Sequence, residues 1–210
     1  MDTTGNNKKP RNKTPNMRTY KLLDEIKSSE LYGKRAGRNE KARAKINENI
    51  GTSRKTRIVP GQLVMFNYFT PKTEEELEYY DAMPCTIFFG VVNTKEGKRY
   101  MGFNIHYYPP KLRYIIMNKI FEIYKPIYMK YFQKGLSKEM DKFDYLYLVS
   151  HLKKAKMDFG VRMYVPSLCG KPQVIPPRLW STAVFTEGVF KKETRANIMK
   201  FWKNKNLNYV

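Results

Sequence analysis

The sequence predicts an α+β fold: a small antiparallel β unit, a sheet or partial barrel, packed on a long helix. Further helices and short strands follow toward the C-terminus, and a basic, disordered arm precedes the folded part. Three observations predict this. The apolar stretches Cys85 to Val92 (CTIFFGVV) and Lys98 to Ile105 (KRYMGFNI) flank a polar tip, Asn93 to Gly97, as in a β-hairpin. Pro109-Pro110 then stops the second stretch, and Leu112, Ile116, Ile120, Ile123 and Ile127 fall on one helical stripe. Finally, residues 1–59 hold 16 basic and 6 acidic residues with almost nothing to bury. Such a segment cannot offset its own ordering entropy.

Taken in order, the chain divides into a largely extended arm, 1–59, and a folded domain, 60–210. In the arm, Lys8, Lys9, Arg11, Lys13 and Arg18 sit among Asn, Thr and Pro, and Lys34, Arg35 and Arg38 follow. Leu22, Leu23, Ile26 and Leu31 line one short candidate helix, and Ala42, Ile46 and Ile50 line a second between Glu40 and Ile50. Both are marginal without a partner surface. Arg54, Lys55 and Arg57 close the arm, and Pro60-Gly61 turns the chain into the domain. Leu63 to Phe69 reads as a first strand, stopped at Thr70-Pro71, with an acidic loop through Glu74, Glu75, Glu76 and Glu78. Beyond the hairpin, the helix from Lys111 to Tyr131 is kinked or split at Pro126 and ended by Gly135. A helix over Ser137 to Lys156, a strand at Val161 to Val165, a proline-rich loop from Pro166 to Arg178, a strand-like run from Leu179 to Thr186 and a basic helix from Lys191 to Lys203 complete the reading.

Charge is the strongest functional signal. Forty Lys and Arg against 19 Asp and Glu leave a net charge of +21, which self-repels in a compact protein and calls for a polyanionic partner, nucleic acid being the commonest. Candidate phosphate contacts are Lys8, Lys9, Arg11, Lys13, Arg18, Lys34, Arg35, Arg38, Arg54, Lys55, Arg57, Lys111, Arg113, Lys191, Lys192 and Arg195. Cations spread in this way position a protein on double-stranded DNA without reading its sequence. The tyrosines, Tyr79, Tyr80, Tyr107 and Tyr108 among them, alternate with apolar residues and are expected in a core or protein interface. Catalysis finds little support. His106 and His151 belong to no metal-binding or relay motif, the glutamates of Glu74 to Asp81 are adjacent and diverge, and no glycine-rich phosphate loop is present. Cys85 and Cys169 fit no zinc spacing and read as small buried hydrophobes. No cofactor or metal is expected. No apolar run is long enough for a membrane span and no apolar signal core opens the chain, so no membrane partner is expected and the reading places the protein in the cytoplasm or in a particle assembled there.

Three stretches, PGQLVMFNYFTPKT, LEYYDAMPCTIFFG and MGFNIHYYPPKLR, resemble the DNA end protector proteins of T-even-like phages and their relatives. The matching residues are Pro60, Gly61, Tyr68, Pro71, Tyr79, Tyr80, Asp81, Pro84, Gly102, Asn104, His106, Tyr107 and Arg113. The likeness runs from Pro60 to Tyr131 and more loosely over Arg178 to Asn204; Tyr108 stands where a leucine-like residue is expected. The resemblance implies a virion structural protein, assembled in the host bacterial cytoplasm. It would bind packaged linear DNA near its termini and protect the ends or complete the head, beside portal, neck or tail proteins in a multi-copy ring or complex. Tyr79, Tyr80, Asp81, Pro84, Gly102, Asn104, His106 and Tyr107 are expected to be structural, with Gly102, Asn104 and His106 in a packed hinge that fixes helix against sheet. The alternative is a neck, tail or baseplate assembly protein whose basic arm binds neighbouring subunits without DNA.

Overall fold

Alternation along the strands gives the sheet two apolar faces. In the computed structural model, which describes residues 37–49, 58–70, 77, 79–117, 145–154, 158–190 and 192–204, the elements run in this order. Helix α1 spans Arg38–Asn49, and β1 (Leu63–Met65), β2 (Cys85–Thr94) and β3 (Gly97–Asn104) follow. Helix α2 is described over 110–117. Then come α3 (Tyr145–Lys154), β4 (Val161–Tyr164), β5 (Gln173–Ile175), α4 (Trp180–Ala183) and α5 (Lys192–Asn204). The five strands form one antiparallel sheet in the order β4-β3-β2-β1-β5.

Leu63, Met65, Ile87, Phe89, Phe103 and Ile175 point to the main core, where helices α1, α2, α4 and α5 add Ile46, Leu112, Ala183 and Ile198. Their neighbours Val64, Phe66, Phe88 and Tyr164 point to the other face and join Tyr68 and Tyr80 in a small aromatic core. Two glycines shape the hairpin. Lys95 and Glu96 form its turn, and Gly97 takes φ 110°, a backbone that favours glycine. Gly102 lies so close to β2 that a Cβ there would stand 2.3 Å from Thr86 Cγ2 and 2.6 Å from the Ile87 carbonyl oxygen. The outer end of the hairpin projects past its neighbours, because β1 pairs only up to Ile87 and β4 only up to Tyr100.

Several sequence expectations change. Helix α1, counted with the arm, belongs to the folded body: Ala42 and Ile46 are fully buried in the main core, and α4 supplies the partner surface. The first strand ends at Met65, after which Tyr68 makes a single bridge to Cys169. The segment Pro166 to Arg178 is more than a loop, since Gln173–Ile175 pairs with β1. Leu179 to Thr186 is no strand: Leu179 ends a 3-10 turn, α4 covers Trp180–Ala183, and a turn follows in which Val184, Phe185 and Thr186 N–H donate to the carbonyls of Trp180, Thr182 and Ala183. The helix after Pro109 is seen over 110–117. Its expected course to Tyr131, the Leu22 to Leu31 helix, the start of the helix at Ser137 and the glutamates 74–76 and 78 lie outside the described residues.

Candidate nucleic-acid interface

The corner that follows β3 is the structural hub from which the basic surfaces are hung. Asp81 is buried, and its carboxylate accepts four N–H groups. Oδ1 takes the backbone N–H of Met83 at 3.1 Å and of Val189 at 2.9 Å; Oδ2 takes Asn104 Nδ2 at 3.0 Å and His106 Nδ1 at 2.9 Å. Burial alone would raise this carboxyl, but the charge of His106 and the hydrogen bonds outweigh it and hold the group below its ordinary value. His106 Nε2 stands 3.0 Å from Thr186 Oγ1, and the threonine hydroxyl lies 2.7 Å from the Ala183 carbonyl. Burial pulls the imidazole below its usual value, with Asp81 opposing.

Carboxylate, imidazole and hydroxyl thus stand in the order of a nucleophilic relay. Asp81, His106 and Thr186 are, however, 3%, 1% and 0% exposed, so the hydroxyl meets no solvent from which a substrate could arrive. Their bonds end on the fold instead, tying the residues before β2 and after β3 to the segment that follows α4. The neighbouring motif residues do the same. Tyr107 donates to the Tyr79 carbonyl at 2.5 Å, and its own carbonyl accepts Trp202 Nε1 at 2.6 Å, which docks α5. Tyr80 donates to the Tyr68 carbonyl at 2.5 Å, and the Pro84 carbonyl accepts Phe66 N–H at 3.4 Å. Tyr108 stacks on Phe103 at 5.2 Å and accepts the Gly160 N–H at 3.0 Å.

Arg113, expected on DNA, is placed inside and is 4% exposed. Its Nε donates to the Tyr108 carbonyl at 2.5 Å and Nη1 to Val184 at 2.9 Å and to Thr186, while Nη2 reaches the His106 carbonyl at 3.3 Å. Burial lowers its pKa to about 10, which leaves it charged at neutral pH. A guanidinium enclosed by four carbonyls cannot meet a phosphate, so Arg113 fastens the corner to the end of α4.

The surface cations stand elsewhere. Helix α5 turns Thr194 and Ile198 inward with Phe201 and Trp202 half-buried, because those positions recur at helical spacing. Lys192, Arg195, Lys200 and Lys203 are left exposed with Ala196 and Met199. Among the described residues no ion pair joins these four cations. Lys111 is exposed in the first turn of α2, Lys153 and Lys154 end α3, and Lys95 and Lys98 stand at the hairpin tip. Arg38 is half-buried, 5.4 Å from the Phe185 ring centre. Lys200 and Lys203 belong to the basic terminal helix that the sequence reading sets among the phosphate-contacting cations, and they lie exposed with Lys192 and Arg195. Lys8, Lys9, Arg11, Lys13, Arg18, Lys34, Arg35, Arg54, Lys55, Arg57 and Lys191 lie outside the described residues. Among those described, His, Cys, Asp and Glu form no group of three that could hold a metal, and no helix is long and apolar enough to cross a membrane.

The family model described as phage T4 terminal DNA protecting protein matches residues 4–205. No curated protein and no solved structure matches the chain.

Proposed function

The chain belongs to the phage T4 terminal DNA protecting protein family, the DNA end protectors of T-even-like phages, and from that membership we propose that it is a virion structural protein that binds packaged linear DNA near its termini. Binding is through phosphates, without reading of base sequence, and the folded body stands in the way of a nuclease approaching the end. In this position the protein also contributes to completion of the head, among neighbouring virion proteins. The observation that carries the phosphate-contact part is the exposed face of α5, with Lys192, Arg195, Lys200 and Lys203 along one rigid element. From Lys192 to Lys203 the rise of about 1.5 Å per residue gives roughly 16 Å, the axial length of about five base steps of duplex. The basic arm adds charge to the same interaction.

The test is binding of the full chain to linear duplex across a salt series. Affinity should fall by roughly three decades between 50 and 200 mM salt if about six phosphates are contacted. Little salt dependence, with assembly partners retained after nuclease treatment, would favour the neck, tail or baseplate reading instead.

A further inference from the structure

A cleft of about 220 Å³ opens between α1 and the β1 and β5 side of the sheet. Arg43 and Asn47 of α1 form one wall, and Asn67, Lys171 and Gln173 the other, with Met65, Phe66 and Met83 between them and no carboxylate in the lining. Arg43 is half-buried. Its Nε donates to Asn39 Oδ1 at 3.0 Å and its Nη2 to the Glu187 carbonyl at 2.6 Å, while Nη1 faces the thioethers of Met65 and Met83. Thioethers are weak acceptors, and among the described residues no carboxylate pairs with this guanidinium.

The opposite wall is fixed. Gly170 N–H donates to the Asn67 carbonyl at 2.7 Å, Phe69 N–H donates to the Leu168 carbonyl at 2.9 Å, and Tyr68 bridges Cys169. Lys171 and Asn67 are therefore presented from segments bonded to each other, which fixes this wall. Two cations and three side-chain amides facing one concave space suit an anion with several acceptor oxygens. The volume leaves room for a phosphate and its sugar. A phosphate monoester at a strand end carries about −1.5 to −2 charge at neutral pH, more than the single charge of an interior phosphodiester, and it projects free of the continuous backbone.

We infer that this cleft receives the terminal phosphate monoester of a DNA strand, an inference that rests on the terminus-binding reading above. The cleft, not the α5 face, then distinguishes an end from the interior.

The full chain should be titrated with thymidine 5′-monophosphate, thymidine 3′-monophosphate and thymidine, and with short duplexes carrying phosphorylated or hydroxyl ends. At least one monophosphate should bind while thymidine does not, and the preferred isomer shows which end is held. Lys171→Gln, an exposed substitution, should weaken that binding about tenfold, the loss expected for one charged hydrogen bond; Arg178→Gln, at an exposed cation outside both the cleft and α5, should leave it unchanged. Equal binding of thymidine and both monophosphates, or no effect of Lys171→Gln, would overturn the inference. Loss of duplex binding with monophosphate binding intact would instead sink the DNA reading and keep the phosphate cleft.

Discussion

Asp81→Asn isolates the hub with almost no change in shape. Each oxygen of the carboxylate accepts two N–H groups, Met83 and Val189 at Oδ1, Asn104 and His106 at Oδ2. Whichever oxygen becomes an amide NH2, two buried donors then face a third. A buried donor without an acceptor costs about 1–3 kcal/mol, so two cost about 2–6 kcal/mol. His106 can relieve one of the Oδ2 clashes by moving its proton to Nε2, which halves the loss to about 1–3 kcal/mol. Against a total stability of about 5–15 kcal/mol, either figure is readily measured. Urea unfolding followed by the fluorescence of Trp180 and Trp202 should show a midpoint lowered by roughly 1 M for a 2 kcal/mol loss, with the slope unchanged. In combination with His106→Gln, the two losses should fall short of additive by about 0.5–3 kcal/mol. A stability within about 0.5 kcal/mol of the parent protein would refute the view that this carboxylate holds the corner together.

Gly102→Ala should cost about 1–3 kcal/mol or more, as overpacked sites do; Thr86→Ala should recover only part, because the Ile87 carbonyl still blocks the new methyl. The pH dependence has a definite sign. Asp81 and His106 both lie below their ordinary values of 3.8 and 6.5 when folded, so the unfolded chain binds more protons between the two values and stability rises with pH. The His106 contribution is complete above its unfolded value and is lost as pH falls below it toward the folded value; that of Asp81 is lost in the same way beneath 3.8. Urea midpoints should drop from about pH 7.5 to about pH 5.5, and His106→Gln should flatten that step. Replacing Lys192, Arg195, Lys200 and Lys203 with Gln removes four phosphate contacts, which lowers the salt slope of DNA binding by about 3.6 and its salt sensitivity between 50 and 200 mM by about two decades; a slope changed by less than about one contact, roughly 0.9, would take α5 out of the interface.

How much the sequence disclosed depended on whether a segment's surroundings are local. The β2–β3 hairpin was readable because its apolar runs and polar tip lie side by side in the chain. Helix α5 was readable because its buried and exposed residues alternate at helical period. Trp180 to Thr186 misled because nearly every residue there is buried, which erases periodicity and leaves β-branched and aromatic residues to suggest a strand. Strand β5 hid among prolines and exists through its pairing with β1. Asp81 and His106 were visible as motif members, yet their partner Thr186 comes from far along the chain. Arg113 carries the residue type of a phosphate contact, and only its burial shows that backbone carbonyls claim it. Arg43 and Lys171 have no local signal at all; the fold alone brings them to one cleft.

The central claim is that the protein occupies and shields DNA termini. Its most direct test is digestion of linear duplex by an exonuclease that needs a free end, with increasing amounts of the full chain and an excess of covalently closed circular DNA as competitor. The account predicts slower digestion that rises with protein and persists in the presence of the circles. Digestion at the unprotected rate, or protection abolished by an equal mass of circular DNA, would contradict it.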